Sequence, residues 1–192
     1  MRKLFLSFVS VSLLILSVSC VTTYTSNDES FNLLPQNINA SNISLSKGKY
    51  SESFVVDGVE YSVSYFDCRG GYASFFVGIQ NNGNKTIRFL EQQISGYYKD
   101  GGSLISLGTW NASEYYKKYS SSVYNSAYGY YATDFLSTVQ QNLLYSSDIK
   151  SGGSYIVGLV AFPKHRNAYE IRIKAHDGTV LTYKFLYAGS YK

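Results

Sequence analysis

The sequence predicts a mainly β protein with antiparallel strands, and two observations support this fold class, while a third bears on the core. Aromatic residues make up 17% of the 192 residues, with 20 Tyr and 11 Phe, and such side chains pack well on a pleated sheet. Short strand-like runs alternate with Asp-Gly, Asn-Gly and Gly-Gly turn signals. Hydrophobic residues reach 45%, which excludes disorder across the whole chain and predicts a single domain with a core.

Successive turn signals place the strands along the chain. Predicted strands cover residues 51–56, 59–66, 72–80, 85–94, 104–110, 155–162, 169–175 and 180–187. Four turn signals each predict a hairpin between neighbouring strands: Asp57-Gly58, residues 81–84, residues 100–102 and Asp177-Gly178. Closely spaced hairpins disfavour parallel units, and about seven or eight short strands are typical of an antiparallel sandwich or barrel.

Alternating side chains indicate which strand faces are buried. Residues 73, 75, 77 and 79 are all apolar and share one face of their strand. In the strand over 169–175, apolar residues alternate with Glu170, Arg172 and Lys174. One face of that strand is therefore predicted to lie in the core and the other in solvent.

Residues 111–147 interrupt the strand pattern as an insertion in the β-domain. Apolar residues three and four apart predict an amphipathic helix between Thr133 and Tyr145, capped by Thr133 or Asp134. Mixtures of Tyr, Ser and Gly are typical of binding loops, so the tyrosines of the first part are candidate binding residues. Alternatively, they only pack a helix on a sheet or cover one end of the sandwich. The candidates are Tyr115, Tyr116, Tyr119, Tyr124, Tyr128, Tyr130 and Tyr131.

Residues 1–19 have the anatomy of a secretory signal. Arg2 and Lys3 precede an apolar stretch over residues 4–18, and Ser19 supplies a small residue at the end. This stretch is shorter and richer in serine than a typical membrane-spanning helix. Residues 20–46 are rich in Asn, Ser and Thr and are predicted to form a flexible tether, leaving 47–192 as the β-sandwich domain. Within the tether, the apolar patch at 31–34 could dock on the domain.

The end of this signal, Leu16-Ser17-Val18-Ser19-Cys20, resembles the lipobox of bacterial lipoproteins. Ser19 fits the small residue of that motif, whereas Ser17 stands where the family typically carries Leu, Val or Ile. The resemblance implies a diacylglyceryl group on Cys20, cleavage before Cys20 and a lipid-anchored protein of the bacterial cell envelope. Val21 after the cysteine implies the outer rather than the inner membrane. Plain secretion is the alternative, and Asn-x-Ser/Thr triplets starting at residues 39, 42, 84 and 111 would suit it.

Two segments resemble immunoglobulin-like domains of bacterial surface lipoproteins. In residues 75–87, an alternating apolar strand runs into an Asn-rich turn and a strand that starts with Lys or Thr. Residues 148–155 and 158–163 are similar to the second half of such domains. The resemblance implies an immunoglobulin-like β-sandwich and carries no catalytic residues with it.

Few residues of the chain suggest catalysis or metal binding. With Cys20 carrying lipid, Cys68 cannot form a disulfide within the chain and is predicted to be a small buried residue. His165 and His176 are the two histidines, and their spacing is not that of metal ligands. No P-loop or dinucleotide-binding glycine pattern occurs. We therefore predict no catalytic residue, no metal site and no cofactor.

Charge and composition leave two classes of function open. The net charge is +4 and falls to +2 without residues 1–19, and no lysine and arginine cluster predicts a nucleic-acid partner. The first class is a membrane-anchored surface or periplasmic binding or adhesion module, with an unidentified protein or glycan as partner. The second is a structural envelope protein that uses its Tyr-rich segment for packing or self-association.

Overall fold

The computed structural model describes residues 31–46, 48–125 and 133–188. The predicted signal, Cys20, Tyr128, Tyr130 and Tyr131 lie outside them, and so does the side chain of Tyr124. None of the described helices is long and apolar enough to cross a membrane. The strands are β1 (Leu33–Pro35), β2 (Ile43–Ser46), β3 (Lys49–Val56), β4 (Val59–Arg69), β5 (Tyr72–Asn81), β6 (Ile87–Phe89), β7 (Ile94–Asp100), β8 (Ser103–Thr109), β9 (Ser147–Ile149), β10 (Ser154–Pro163), β11 (Tyr169–Lys174) and β12 (Val180–Tyr187). The helices are a 3₁₀ turn (Glu91–Gln93), α1 (Ala112–Asn125) and α2 (Thr133–Asn142).

Two five-stranded antiparallel sheets form a β-sandwich. The first sheet has the order β10-β5-β4-β3-β2, and the second sheet has the order β1-β12-β11-β7-β8. The short strands β6 and β9 pair with each other. The prediction of a mainly β, antiparallel sandwich with a helical insertion is confirmed, and α2 lies inside the predicted helical range.

Three of the predicted hairpins are confirmed. Asp57 (φ 48°) and Gly58 (φ 79°) are both left-handed and join β3 to β4, as a tight hairpin turn requires. Gly101 and Gly102 do the same between β7 and β8, with φ of 54° and 94°. Between β11 and β12, the amide of Thr179 donates to Asp177 Oδ1 at 2.9 Å.

The fourth predicted hairpin, at residues 81–84, is wrong. β5 pairs with β4 and β10, while the strand expected over 85–94 divides into β6, which pairs with β9, and β7, which joins the second sheet. The buried side chain of Asn81 explains the division, because its Nδ2 donates to Lys85 O at 2.8 Å and to Ile149 O at 2.9 Å. These bonds direct the chain out of the first sheet after the turn.

Residues 31–46, placed in the predicted tether, belong to the sandwich. They form β1, on the edge of the second sheet, and β2, on the edge of the first. Phe31 and Leu33 are buried, and the hydroxyl of Tyr65 donates to Phe31 O at 3.0 Å. The described fold therefore begins at Phe31 and not at residue 47, because the apolar patch at 31–34 contributes to the core.

The core lies between the two sheets, where the alternation predicted it. Residues 73, 75, 77 and 79 of β5 and residues 169, 171 and 173 of β11 are all buried. On the opposite face of β11, Lys174 is exposed, but Glu170 and Arg172 are half-buried. The Arg172 guanidinium donates to Glu170 Oε1 at 2.6 Å and lies 4.5 Å from the ring centre of Tyr97. That face is thus only partly in solvent.

Candidate functional site

A cavity of about 300 Å³, here called the aromatic cleft, lies where α1, the end of β8 and β10 meet. Side chains from four parts of the chain form its walls, and the first turns of α1 form its rim. Apolar walls with a few polar groups at the opening are typical of binding pockets. The wall residues include Tyr72, Leu107, Trp110, Tyr115, Phe162 and Pro163, and the rim residues include Asn111, Glu114 and Lys118.

Two side chains fix the start of α1 beside the cleft. Asn111 Oδ1 accepts a hydrogen bond from the Glu114 amide at 2.9 Å, as the first turn of a helix requires. Glu91 Oε2 accepts another from the Ala112 amide at 2.7 Å, and its negative charge also suits a helix N-terminus. Glu91, which lies just before β7, and Asn111 therefore position α1, the helix that carries the tyrosines.

Trp110 forms the floor of the aromatic cleft. Its side chain is buried, and its Nε1 donates to Leu144 O at 2.8 Å. The centre of its ring lies 5.4 Å from that of Tyr115. Trp110 therefore connects the end of β8 to α1 through its contact with Tyr115. It also connects β8 to the segment after α2 through its bond to Leu144.

The tyrosines of α1 pack as a cluster against β5. Tyr115 lies edge-to-face against Tyr72, with ring centres 5.1 Å apart, and stacks on Tyr119 at 5.5 Å. Tyr119 is only 2% exposed, and Tyr116 is half-buried against the core. Burial, with a smaller contribution from Tyr119, raises the pKa of Tyr115 well above its ordinary value, so its phenol stays protonated at neutral pH.

The predicted binding tyrosines therefore divide into two groups. Tyr115, Tyr116 and Tyr119 attach the insertion to the sandwich, as the packing alternative proposes, and Tyr115 also lines the cleft. The other four lie, wholly or by their side chains, outside the described residues. Trp110, Tyr72, Leu107 and Pro163 also line the cleft but were not among the predicted binding residues. The position of Trp110 directly before the Tyr-rich stretch was the one available signal.

An exposed ion pair marks the rim of the cleft. Lys118 Nζ lies 2.7 Å from Glu114 Oε1, at the i,i+4 spacing that brings helix side chains together. The hydrogen bond and charge of Lys118 lower the pKa of Glu114, and Glu114 raises the pKa of Lys118 in return. Both side chains are charged at neutral pH and accessible to a ligand.

The cysteine and histidines singled out in the sequence have packing roles. Cys68 is buried in β4 opposite Ala73. The His165 ring stacks on Tyr98 with centres 3.8 Å apart, and His176 Nδ1 lies 3.0 Å from the Tyr61 hydroxyl. Within residues 31–46, 48–125 and 133–188, no group of three His, Cys, Asp or Glu side chains could hold a metal ion.

A second, more open groove of about 600 Å³ lies beside β11 and β12. It is lined by polar and charged residues, among them Glu52, Glu170, Arg172 and Lys184. Burial raises the pKa of Glu52, and a hydrogen bond from Asn42 Nδ2 at 3.2 Å opposes that shift. The groove lacks apolar walls to anchor a ligand, so the aromatic cleft is the better candidate.

No protein-family model matches the sequence, and no curated protein matches it. A crystal structure of the yjhA protein from Bacillus subtilis is similar, with a TM-score of 0.44 and 10% sequence identity. The similarity covers 68% of this chain and 93% of that chain.

Proposed function

We propose that this protein is a lipid-anchored lipoprotein of the bacterial cell envelope that binds a partner protein in the aromatic cleft and catalyses no reaction. The observation that carries the proposal is a cavity of about 300 Å³ whose aromatic and aliphatic wall residues adjoin polar surface of similar extent and an exposed ion pair on its rim. Apolar anchors inside pockets and polar groups around them are typical of protein recognition sites.

A protein partner fits the cleft better than a glycan. A sugar ring needs an open aromatic face to stack on. The ring of Tyr115 instead stacks on Tyr119 and packs edge-to-face with Tyr72. The walls formed by Leu107, Tyr115 and Pro163 instead suit an apolar side chain. The charges of Glu114 and Lys118 would then meet polar groups of the partner backbone or its neighbouring side chains.

The N-terminal segment supports the proposed lipid anchor. Arg2 and Lys3, the apolar stretch and Ser19-Cys20 together support cleavage before Cys20 and lipid attachment to it. Two or more acyl chains give stable membrane anchoring without a spanning helix. Mass spectrometry of the mature N-terminus tests this part. Acyl groups on an N-terminal Cys20 are expected, whereas an unmodified Cys20 or a mature N-terminus elsewhere would contradict the anchor.

A substitution that fills the cleft tests the binding role. Thr109 is exposed and lines the cavity, so Thr109→Arg places a long side chain in it without disturbing a buried residue. Ser44→Arg, at an exposed position of β2, is the matched control. The full-length variants are isolated from membranes after mild crosslinking, and their co-isolated proteins are quantified.

We expect the same partner proteins to be recovered with the unmodified chain and with Ser44→Arg. Their recovery should fall about tenfold with Thr109→Arg, which is the effect of losing one central anchor. Equal recovery with Thr109→Arg would contradict the binding role of the cleft. The structural alternative, in which the tyrosines only pack the insertion, is favoured by the burial of Tyr119 and predicts that equal recovery.

A further inference from the structure

The two sheets have four edges, and three of them are protected against further strand pairing. β1 has only three residues and ends in Pro35, which cannot donate a backbone hydrogen bond. β2 has only four residues. The outer side of β10 is partly covered, because Leu144 donates its amide to Leu159 O at 3.0 Å. Gly158 permits this approach, since a Cβ there would lie 2.7 Å from Leu144 Cα.

The fourth edge, β8, carries none of these three protections over Ser103–Ser106, and its pairing with β7 is interrupted only after them, by a β-bulge at Leu107 beside Gly108 (φ 93°). It is seven residues long, its sequence is SLISLGT, and it contains neither a charged residue nor a proline. Leu104 and Ile105 are 40% and 38% exposed. Natural proteins usually blunt such edges with lysines, prolines or short strands, because an open edge is a template for another strand.

The hydrogen bonds of the neighbouring strands show which backbone groups of β8 are available. The Lys99 amide donates to Ala168 O at 2.8 Å, so the backbone polar groups of Lys99 point toward β11. Leu104 lies opposite Lys99, and its N–H and C=O therefore point away from β7 to the open edge. Among the described residues, β8 pairs with β7 alone.

We propose that β8 pairs with β8 of a second copy of this chain, so that the two second sheets form one ten-stranded antiparallel sheet across a two-fold axis. A two-fold axis perpendicular to a strand always brings the strand against itself in the antiparallel direction. Self-pairing places no like charges together, since β8 is neutral, and the nearest charges at its start, Lys99 and Asp100, have opposite signs. Leu104 and Ile105 of each copy lose exposed apolar surface.

Pairing through a single strand buries less surface than the roughly 1,200–2,000 Å² of a stable complex, so the dimer is weak in dilute solution. It is therefore tested in cells, at the density at which the full-length chain normally occurs. A photoreactive phenylalanine analogue replaces Ile105, and the same analogue at Leu186 is the control. Leu186 is 45% exposed, but β12 lies between β1 and β11 and is not an edge.

Illumination of the Ile105 variant is expected to give an adduct of twice the chain mass, with both crosslinked peptides from β8. Adding Leu104→Pro should reduce that adduct about tenfold, because proline removes the edge-facing N–H and leaves the bonds to β7 intact. Leu104→Lys, which places a charge on the open edge of each copy, should have the same effect and covers the case in which the proline variant does not fold.

Several outcomes would overturn the proposal. They are no adduct at Ile105, an adduct with a different protein, equal adduct from Leu186, or an adduct that persists with Leu104→Lys. Self-pairing through β8 requires neither lipid on Cys20 nor a ligand in the aromatic cleft. Its failure is therefore distinguishable from failure of the proposed function, which leaves the β8 adduct intact.

Discussion

At the scale of single residues, Asn81 decides how the chain passes from the first sheet to the strands beyond it. It is fully buried, its Nδ2 donates to Lys85 O and Ile149 O, and its Oδ1 accepts from the Gly83 amide at 3.0 Å. One side chain thus satisfies three backbone groups, one of them 68 residues away. A buried polar group that loses such a partner costs about 1–3 kcal/mol.

Replacing Asn81 by Ala is therefore expected to lower the free energy of unfolding by about 2–4 kcal/mol, because the buried Ile149 O and two part-buried backbone groups lose their partner. The neighbouring Asn82 is exposed, and Asn82→Ala should change the stability by less than about 0.5 kcal/mol. Urea unfolding of both variants measures the difference. Similar urea midpoints for the two variants would show that Asn81 does not stabilise the connection from β5 to β6.

At the scale of elements, the N-terminal strand β1 completes the second sheet and closes the core at one end. Leu33 is buried, and the ring of Phe31, just before β1, lies within 5.3 Å of Tyr187 and 6.1 Å of Tyr65, measured between centres. β1 pairs with β12 through three residue pairs only, so side-chain burial contributes most of its attachment.

Phe31→Ala is accordingly expected to destabilise the domain by about 3–5 kcal/mol, the range for truncating a buried Phe. Ile38 follows β1 and is 44% exposed, so Ile38→Ala should cost less than about 1 kcal/mol. Thermal or urea unfolding compares them. An unfolding free energy unchanged by Phe31→Ala would mean that the stable domain begins after β1, as the tether prediction assumed.

Elements held by local signals were predictable from the sequence, and those held by distant partners were not. Asp57-Gly58 and Gly101-Gly102 specify tight turns by themselves, and alternation alone identified the buried face of β5. The pairing of β6 with β9 joins three-residue strands about 60 positions apart, and no local pattern encodes it. The same holds for the aromatic cleft: Tyr115 was a candidate, but Trp110 and Pro163 meet it only through the fold.

At the scale of the whole molecule, buried tyrosines unite the two sheets. The Tyr183 hydroxyl donates to Tyr61 O at 2.8 Å, and the Tyr169 hydroxyl donates to Pro163 O at 2.8 Å. Such bonds satisfy each phenol in the core and let large aromatic side chains fill it. Burial is also the main reason why the pKa values of Tyr61, Tyr115, Tyr169 and Tyr183 lie above their ordinary value of 10.0.

These raised pKa values predict that the domain loses stability in alkali. In the unfolded chain the tyrosines release their protons near pH 10, whereas in the folded domain they keep them to higher pH. Their contribution to stability is therefore complete below pH 10 and is lost as the pH rises above it, by about 1.4 kcal/mol per pH unit for each tyrosine. Urea unfolding between pH 8 and 11.5, with tyrosinate absorbance as a second signal, should show a steep fall in stability above pH 10.

Tyr183→Phe should be less stable than the unmodified domain at pH 8 by about 1 kcal/mol, because it lacks the bond to Tyr61 O, yet its stability should fall less steeply above pH 10. Tyr155 is 72% exposed, and Tyr155→Phe should leave both the stability at pH 8 and the alkaline slope nearly unchanged. Equal alkaline slopes for Tyr183→Phe and Tyr155→Phe would mean that burial of the tyrosine core does not govern the alkaline response.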